Sequence, residues 1–373
     1  MKVAVVHDFL NQYGGAEKVL EGILSLYPDA VVHTLIYEKE NVSSDIIRSS
    51  RVVECPALPR SRLFRKHYKK FLFLFPWAVE QFDLSPYDLI ISSSYLWAKG
   101  ALRRADALHI CYCHTPMRQA WDLYYQYMEA QRLGKITGFA LSLIMHYLRL
   151  WDRVSADRVD FFIANSENVR RRIQKHYRRD ARVIYPPVET DKFVRSAVDG
   201  GYYLVVSRLV EYKKTELAVR AFNRLGKPLV VIGTGPEYGR LSKIARGNIT
   251  LLGRQPFESI IEHYSKCRAF IFPAEEDLGI TPIEAQASGK PVIAYGRGGA
   301  VETVIDGKTG IFFQEQSEES LMAAVERFEK MEFNAGDITA NAGRFDRSVF
   351  AREIRAFIES EYGKFKETRI SGA

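Results

Sequence analysis

The stretch from Ala269 to Tyr295 reads AFIFPAEEDLGITPIEAQASGKPVIAY. An apolar run, Ala269–Phe272, stops at Pro273, and a loop carrying Glu276 and Gly279 follows. Thr281-Pro282-Ile283-Glu284 then has the form of a capping box, with Thr at the N-cap, Pro in the first turn and Glu at the third position. Gly289 and Pro291 close the short helix, and a second apolar run begins at Val292. Two short, wholly apolar runs joined by a helix describe neighbouring strands of a buried parallel sheet. The loop carrying Glu276 then lies at a carboxyl end of a strand, where open α/β sheets bind ligands.

The same alternation runs through the chain. Strand-like runs fall at Val3–Val6, Val31–Ile36, Leu89–Ser93, Leu108–Cys113, Phe161–Ala164 and Arg182–Tyr185, and then at Tyr202–Val206, Leu229–Ile232, Ile249–Leu252, Ala269–Phe272, Val292–Tyr295 and Gly310–Phe313. Helical periods such as Ala16–Leu26, Val169–His176, Glu216–Leu225 and Leu321–Lys330 separate them. The expected class is α/β, with two doubly wound parallel sheets facing across a cleft. Pro186-Pro187 continues neither a helix nor a central strand, so the boundary falls there. We therefore expect one domain over 1–188, a second over 189–345, and a helical segment over 346–373 that returns to the first.

Length and composition agree. The 373 residues fit two domains, and 47% hydrophobic with 26% charged residues is globular, not disordered or fibrous. No apolar run approaches the ~20 residues of a membrane span. Phe71–Val79 is broken by Pro76, and Phe139–Trp151 carries His146 and Arg149. After Lys2 a short apolar run meets His7-Asp8, which is no leader pattern. The expectation is a soluble, unexported, cytoplasmic chain. Four cysteines (Cys55, Cys111, Cys113, Cys267) make no disulfide framework. Cys111-x-Cys113-His114 lacks the spacing and second ligand pair of a zinc site and reads as the end of a buried strand.

The net charge of +8 is uneven. Residues 1–190 hold 27 Lys and Arg against 20 Asp and Glu, whereas the remainder holds 26 against 25. An anionic partner for the first half is implied. The densest cationic segment runs from Arg60 to Trp77. Its Arg62, Arg65, Lys66, Lys69 and Lys70 are interleaved with and followed by aromatics, which suits an anionic membrane surface better than nucleic acid.

Gly14-Gly15 follows the first strand and opens a helix, a turn whose amides suit a phosphate. It lacks the third glycine of a dinucleotide fingerprint, which disfavours an NAD-dependent dehydrogenase. No Asp-x-Asp occurs, so a metal-chelating donor site has no obvious ligands.

The loop Glu276 … Glu284 resembles the donor-site signature of the family-4 retaining glycosyltransferases (glycosyl transferases group 1), which have the GT-B fold. Gly233-Thr-Gly235-Pro236 resembles that family's G-x-G-P loop, and Arg208 with Lys213 its strand-end Arg and the Lys five residues on. Gly298-Gly299, Asp306–Gly310, Gly14-Gly15-Ala-Glu17 and Ala164-Asn165-Ser166 also fit, in the right order. The resemblance implies that Arg208 and Lys213 neutralise the leaving diphosphate of a nucleotide-sugar, that Glu276 faces the transferred sugar, and that Glu284 takes the ribose hydroxyls. Gly279, Ile280 and Thr281 would hold sugar hydroxyls, Gly233, Gly235 and Gly15 would let the chain approach the donor, and Gly14 and Arg118 would serve the acceptor or phosphate side. His114 would line the site.

His114-Thr-Pro-x-Arg118-x-x-Trp121-Asp122 further resembles mannosyltransferases of polysaccharide and lipid-linked oligosaccharide assembly. The implied activity is retaining, metal-independent transfer of a hexose, first choice mannose from GDP-mannose, to a polyprenyl-diphosphate-linked or other glycan acceptor. No cofactor or nucleic acid is implied, and the place is the inner face of the cytoplasmic membrane. Alternatives are a UDP-sugar donor, a small soluble acceptor, a sugar-nucleotide epimerase, and a non-catalytic nucleotide-sugar or membrane-binding module.

Overall fold

The structure is a computed structural model and describes residues 1–131, 133–196 and 198–370. It divides into two compact units, Met1–Pro187 with the chain from Phe350 onward, and Val188–Val349. The helix Arg347–Ile370 thus belongs almost wholly to the first unit. Residues 371–373 of the expected C-terminal segment lie outside the described residues.

The first unit is built on β1 (Val3–His7), β2 (Val31–Thr34), β3 (Val52–Glu54), β4 (Leu89–Ser94), β5 (Leu108–Cys113), β6 (Phe161–Ala164) and β7 (Ala181–Val183). They form a sheet in the order β3-β2-β1-β4-β5-β6-β7, with every pairing parallel. β1, β4 and β5 are buried along their whole length, their apolar residues interrupted by the buried His7, Ser92, Ser93, Ser94 and His109. Phe350, Ile354 and Ile358 of the last helix pack on the face of this sheet that also holds Val19, Leu20 and Ile23. Phe350 lies so close to Gly22 that a Cβ there would come within 2.6 Å of its ring.

The second unit holds β8 (Tyr203–Val206), β9 (Leu229–Ile232), β10 (Ile249–Gly253), β11 (Phe270–Phe272), β12 (Val292–Tyr295) and β13 (Gly310–Phe313). Its order is β10-β9-β8-β11-β12-β13, again parallel throughout. In each unit the strand order reverses once, between β1 and β4 and between β8 and β11. At such a switch point the loops on either side diverge and leave a crevice at the carboxyl ends of the strands.

One local expectation is corrected. The helix after β11 starts at Ile280, with Gly279 as its N-cap at φ +86, so Thr281 lies inside it and no side chain caps it. A Cβ at Gly279 would lie 2.6 Å from the Phe272 ring, so both the backbone angle and the contact require glycine. The capping box is absent.

Candidate functional site

The second unit places Arg208, Lys213 and Glu276 at its switch point. Arg208 is exposed in the turn after β8, and Lys213 ends the short turn Glu211–Lys213 that follows. Glu276 stands after β11, and its Oε1 lies 2.5 Å from Lys213 Nζ, each side chain 18% exposed. In a pair so largely shielded from water the mutual attraction is offset by the desolvation of both charges, so its net stabilisation is small. It does hold an ammonium and a carboxylate side by side, where an anion can compete for the ammonium.

Two glycine loops fix that pair. A Cβ at Gly233 would fall 1.8 Å from the Ser207 carbonyl oxygen, and one at Gly235 2.2 Å from that of Leu209. The close approach of Gly233 and Gly235 is therefore to the backbone on either side of Arg208, clamped by Leu209 N donating to Thr234 O at 2.9 Å. Gly298 and Gly299 do the same for the acidic loop. Gly299 N donates to Glu276 O at 2.8 Å, and a Cβ at Gly298 would lie 2.4 Å from that oxygen.

Glu284, 8% exposed, accepts from the hydroxyl of the fully buried Tyr264 at 3.1 Å. Burial first, and then the Glu284 charge, push the Tyr264 hydroxyl well above its ordinary pKa, so it stays a donor. Ile280 and Thr281 are half-buried in the first turn of the same helix. That helix is fastened by Gln286, whose Nε2 donates to Thr303 O at 2.8 Å and whose Oε1 accepts from Asn341. Neither Gln286 nor Asn341 is singled out by the sequence.

The first unit brings His114 to its switch point through a buried chain of groups. Ser93 Oγ lies 2.8 Å from His114 Nε2 and 3.0 Å from His7 Nδ1. His7 Nε2 faces Glu17 Oε1 at 3.6 Å, and Glu17 Oε2 accepts from Gly14 N at 2.7 Å. The carboxylate favours a proton on His7 Nε2. With the tautomers assigned on that basis, Ser93 donates to His7 Nδ1 and accepts from His114 Nε2–H, and His114 Nδ1 is an acceptor. Desolvation, and secondarily His7, lower the His114 pKa to about 3, so the ring is neutral. The Gly14 amide, offered to a phosphate by the sequence, is thus spent on Glu17. Gly15 is the first residue of the helix Gly15–Leu26.

The loop after His114 is tied down residue by residue. Arg172 donates to Thr115 Oγ1 at 2.7 Å and to Asp122 at 2.9 Å, and His176 lies 3.2 Å from Asp122. The His176 ring, aided by Arg172, holds the Asp122 carboxyl well below its usual range. Trp121 stacks on His176 with centroids 4.7 Å apart and donates to Asp152, which pairs with the buried Lys99. Arg118 is half-buried, and its carbonyl accepts from Leu123 N at 2.8 Å.

Asp8 is a residue the sequence reading passes over. Fully buried at the end of β1, it accepts from the amides of Tyr95, Leu96, Trp97 and Ala98 at 2.6–2.9 Å. It pins the loop after β4 beside β1 and so holds the switch point in shape. His7-Asp8 breaking an apolar run is the only signal it leaves in the sequence.

Of the basic segment, Arg62, Lys66, Lys69 and Lys70 are exposed. Arg65 is the exception, because its guanidinium binds both Glu54 carboxylate oxygens at 2.9 Å and the Tyr37 carbonyl. It is removed from the cationic surface. Among the described residues no three His, Cys, Asp or Glu side chains gather as metal ligands.

Comparison with known proteins meets this geometry at both units. Residues 13–192 match the family model "Glycosyltransferase Family 4" and residues 188–345 the model "Glycosyl transferases group 1". The chain belongs to the family-4, group 1 glycosyltransferases. A GDP-mannose-dependent alpha-(1-6)-phosphatidylinositol monomannoside mannosyltransferase of Mycolicibacterium smegmatis is 30% identical over 170 residues, 38% of this chain and 44% of that one. The alpha-1,3/1,6-mannosyltransferase ALG2 of Dictyostelium discoideum is 23% identical over 239 residues, 50% of this chain and 57% of its own.

This glycosyltransferase chain spans about half the length of the curated relatives it matches. Its fold is shared over nearly all its length with the galactosyltransferase WaaB of the lipopolysaccharide outer core, at TM-score 0.67, 15% identity and 97% of this chain against 100% of that one. The Anabaena protein Alr3699/HepE gives TM-score 0.69 at 18% identity, covering 96% and 100%. The fold is GT-B.

Proposed function

We propose that this glycosyltransferase moves a hexose, mannose from GDP-mannose, to a lipid-linked or polysaccharide-precursor acceptor with retention of configuration. The single observation that carries the donor side is the Lys213–Glu276 pair at the β8/β11 switch point, where Arg208 also follows β8. A nucleotide diphosphate arriving there attracts Lys213 and Arg208, and Glu276, freed of its ammonium, takes hydroxyls of the sugar. As the glycosidic bond breaks, negative charge grows on the departing diphosphate. Two fixed cations stabilise that charge more in the transition state than in the ground state, which accelerates the step without a metal. Glu284, held by Tyr264, accepts from the ribose hydroxyls, and the amides opening the helix Ile280–Ala287 hold the sugar.

In the first unit His114 Nδ1 accepts a hydrogen bond from a sugar or acceptor hydroxyl. Among the described residues no carboxylate is assigned as a nucleophile, so the acceptor hydroxyl attacks from the face the leaving group departs and passes its proton to the departing diphosphate oxygen, with no covalent intermediate. The choice of mannose is supported by the His114–Asp122 motif and by relatives that are themselves mannosyltransferases.

A thermal-shift screen of GDP-mannose, UDP-glucose and UDP-N-acetylglucosamine tests the donor. A ligand at one hundred times its Kd adds about 2.7 kcal/mol to stability. GDP-mannose is expected to raise Tm most. A larger rise with either UDP-sugar overturns the choice of mannose, and no rise with any of the three overturns the donor site.

A further inference from the structure

We propose that the outer face of the helix Lys135–Ser155 lies on an anionic lipid bilayer, in the plane of its surface. The inner face of this helix is ordinary core, with Met145, Leu148 and Trp151 buried in the first unit and Leu141 and Ile144 packed beside them. The outer face is apolar as well. Ile136 is 87% exposed, Phe139 66%, Leu143 54%, Tyr147 45%, Leu150 56% and Val154 59%. Their spacings of three and four residues align them in one stripe, roughly 27 Å long at 1.5 Å per residue. A continuous stripe of large apolar side chains marks an interaction surface, whereas singly scattered ones do not.

The chemistry around the stripe selects the occupant. From Ala130 to Trp151 the sequence contains no acidic residue, while Lys135 and Arg149 are cationic. A second copy or a partner helix seated on such a stripe would be steered by opposite charges along its flanks. Here the flanks are Thr137, Gly138, Ala140, Ser142 and His146. A bilayer needs no such pairing, only apolar area and nearby cations. The helix packs against the turn Tyr68–Leu74, which carries exposed Lys69 and Lys70, with Lys66 and Arg62 just before it. Leu63, Phe73 and Trp77 of the same segment are exposed too. Among the described residues no helix is long and apolar enough to cross a membrane, so the stripe lies along the surface. The 60–77 segment then supplies attraction, and the long helix supplies the apolar contact. The lipid-linked acceptor of the proposed function gives this contact its use, but the contact itself requires neither donor nor acceptor.

The test is co-sedimentation of the full chain with phosphatidylcholine vesicles, with and without phosphatidylglycerol. The wild type is expected to bind the anionic vesicles, and the combined substitution Phe139→Ser, Leu143→Ser, Leu150→Ser to weaken binding about tenfold or more. Because these side chains are exposed, its thermal melting should match the wild type. Lys66→Gln, Lys69→Gln, Lys70→Gln together should weaken binding and flatten its salt dependence. Binding by the serine variant within twofold of wild type overturns the proposal. So does a dimer in sedimentation equilibrium that the serine variant dissociates, which would make the stripe a seam between copies. A chain that binds vesicles but transfers no sugar to a lipid-linked acceptor leaves this inference standing and removes the acceptor reading.

Discussion

The two units place polar side chains at the same topological position and treat them in opposite ways. In the first, Glu17, His7 and Ser93 are buried behind a half-buried His114, whose imidazole is neutral. In the second, Lys213 and Glu276 form an ion pair, each side chain 18% exposed, and Arg208 is exposed in the turn after β8. A buried neutral chain can orient one lone pair but cannot absorb a large charge. A half-exposed cation can absorb charge but orients little. In the proposed function one switch point positions and the other neutralises.

Acid should separate the units by the largest margin. Seven of the eight histidines lie in the first unit, and burial lowers three of them, His33 to about 4 and His109 and His114 to about 3. A histidine whose folded pKa is depressed costs nothing above its unfolded value near 6.5. Below it the unfolded chain binds a proton that the folded one refuses, so stability falls until the folded pKa is passed. Each such group removes up to about 1.4 kcal/mol per pH unit, and the three together up to about 4. Asp122 acts in a lower window, since its depressed pKa matters only below about pH 4. All four tryptophans (Trp77, Trp97, Trp121, Trp151) are in the first unit, so their emission reports it alone. Between pH 6 and pH 4 the emission should lose its native form while part of the far-UV circular dichroism survives. Coincident loss of both signals would break the comparison.

Lys213→Ala comes next. Removing one preorganised donor of transition-state charge costs about 10²–10³ in kcat, roughly 3–4 kcal/mol. The substitution also leaves Glu276, 18% exposed, without its ammonium, so a modest fall in melting temperature is expected beside the much larger loss of turnover. Turnover within threefold of wild type would show that the second unit does not draw off the leaving charge.

How much of this could be read beforehand depends on whether the physics is local. Buried parallel strands betray themselves as apolar runs, and the glycines at 233, 235, 279, 298 and 299 mark close backbone approaches, so the fold and the Lys213–Glu276 neighbourhood were legible. The capping box that Thr-Pro-Ile-Glu suggests locally does not form, because the helix starts at Ile280, and the group that donates to Glu284, Tyr264, sits twenty residues upstream on another helix. Asp8 was missed because its four donors come from a loop nearly ninety residues away. Arg65 looked like a surface cation until the fold brought Glu54 to it. The long helix Lys135–Ser155 is apolar on two faces, so its periodicity does not say which face is core. Only packing reveals that the Ile136–Val154 stripe has no protein over it among the described residues.

The smallest effect is the most discriminating. In Glu17→Gln the side-chain oxygen still accepts from Gly14 N, and the new amide NH₂ turns toward His7 Nε2. His7 then carries its proton on Nδ1 and donates to Ser93, Ser93 donates to His114 Nε2, and the His114 proton moves to Nδ1. The two hydrogen bonds of Ser93 survive with their directions reversed and Gly14 N keeps its acceptor, so stability should change by about 1 kcal/mol or less. The ring atom proposed to accept from a hydroxyl has become a donor. We expect kcat to fall about tenfold with donor KM unchanged, because the orientation of a single hydrogen bond is worth about that much. The nitrogen-15 shifts of His114 should exchange their Nδ1 and Nε2 identities. An unchanged tautomer would mean that Glu17 merely caps its helix, and that the first unit does not set the lone pair from this distance.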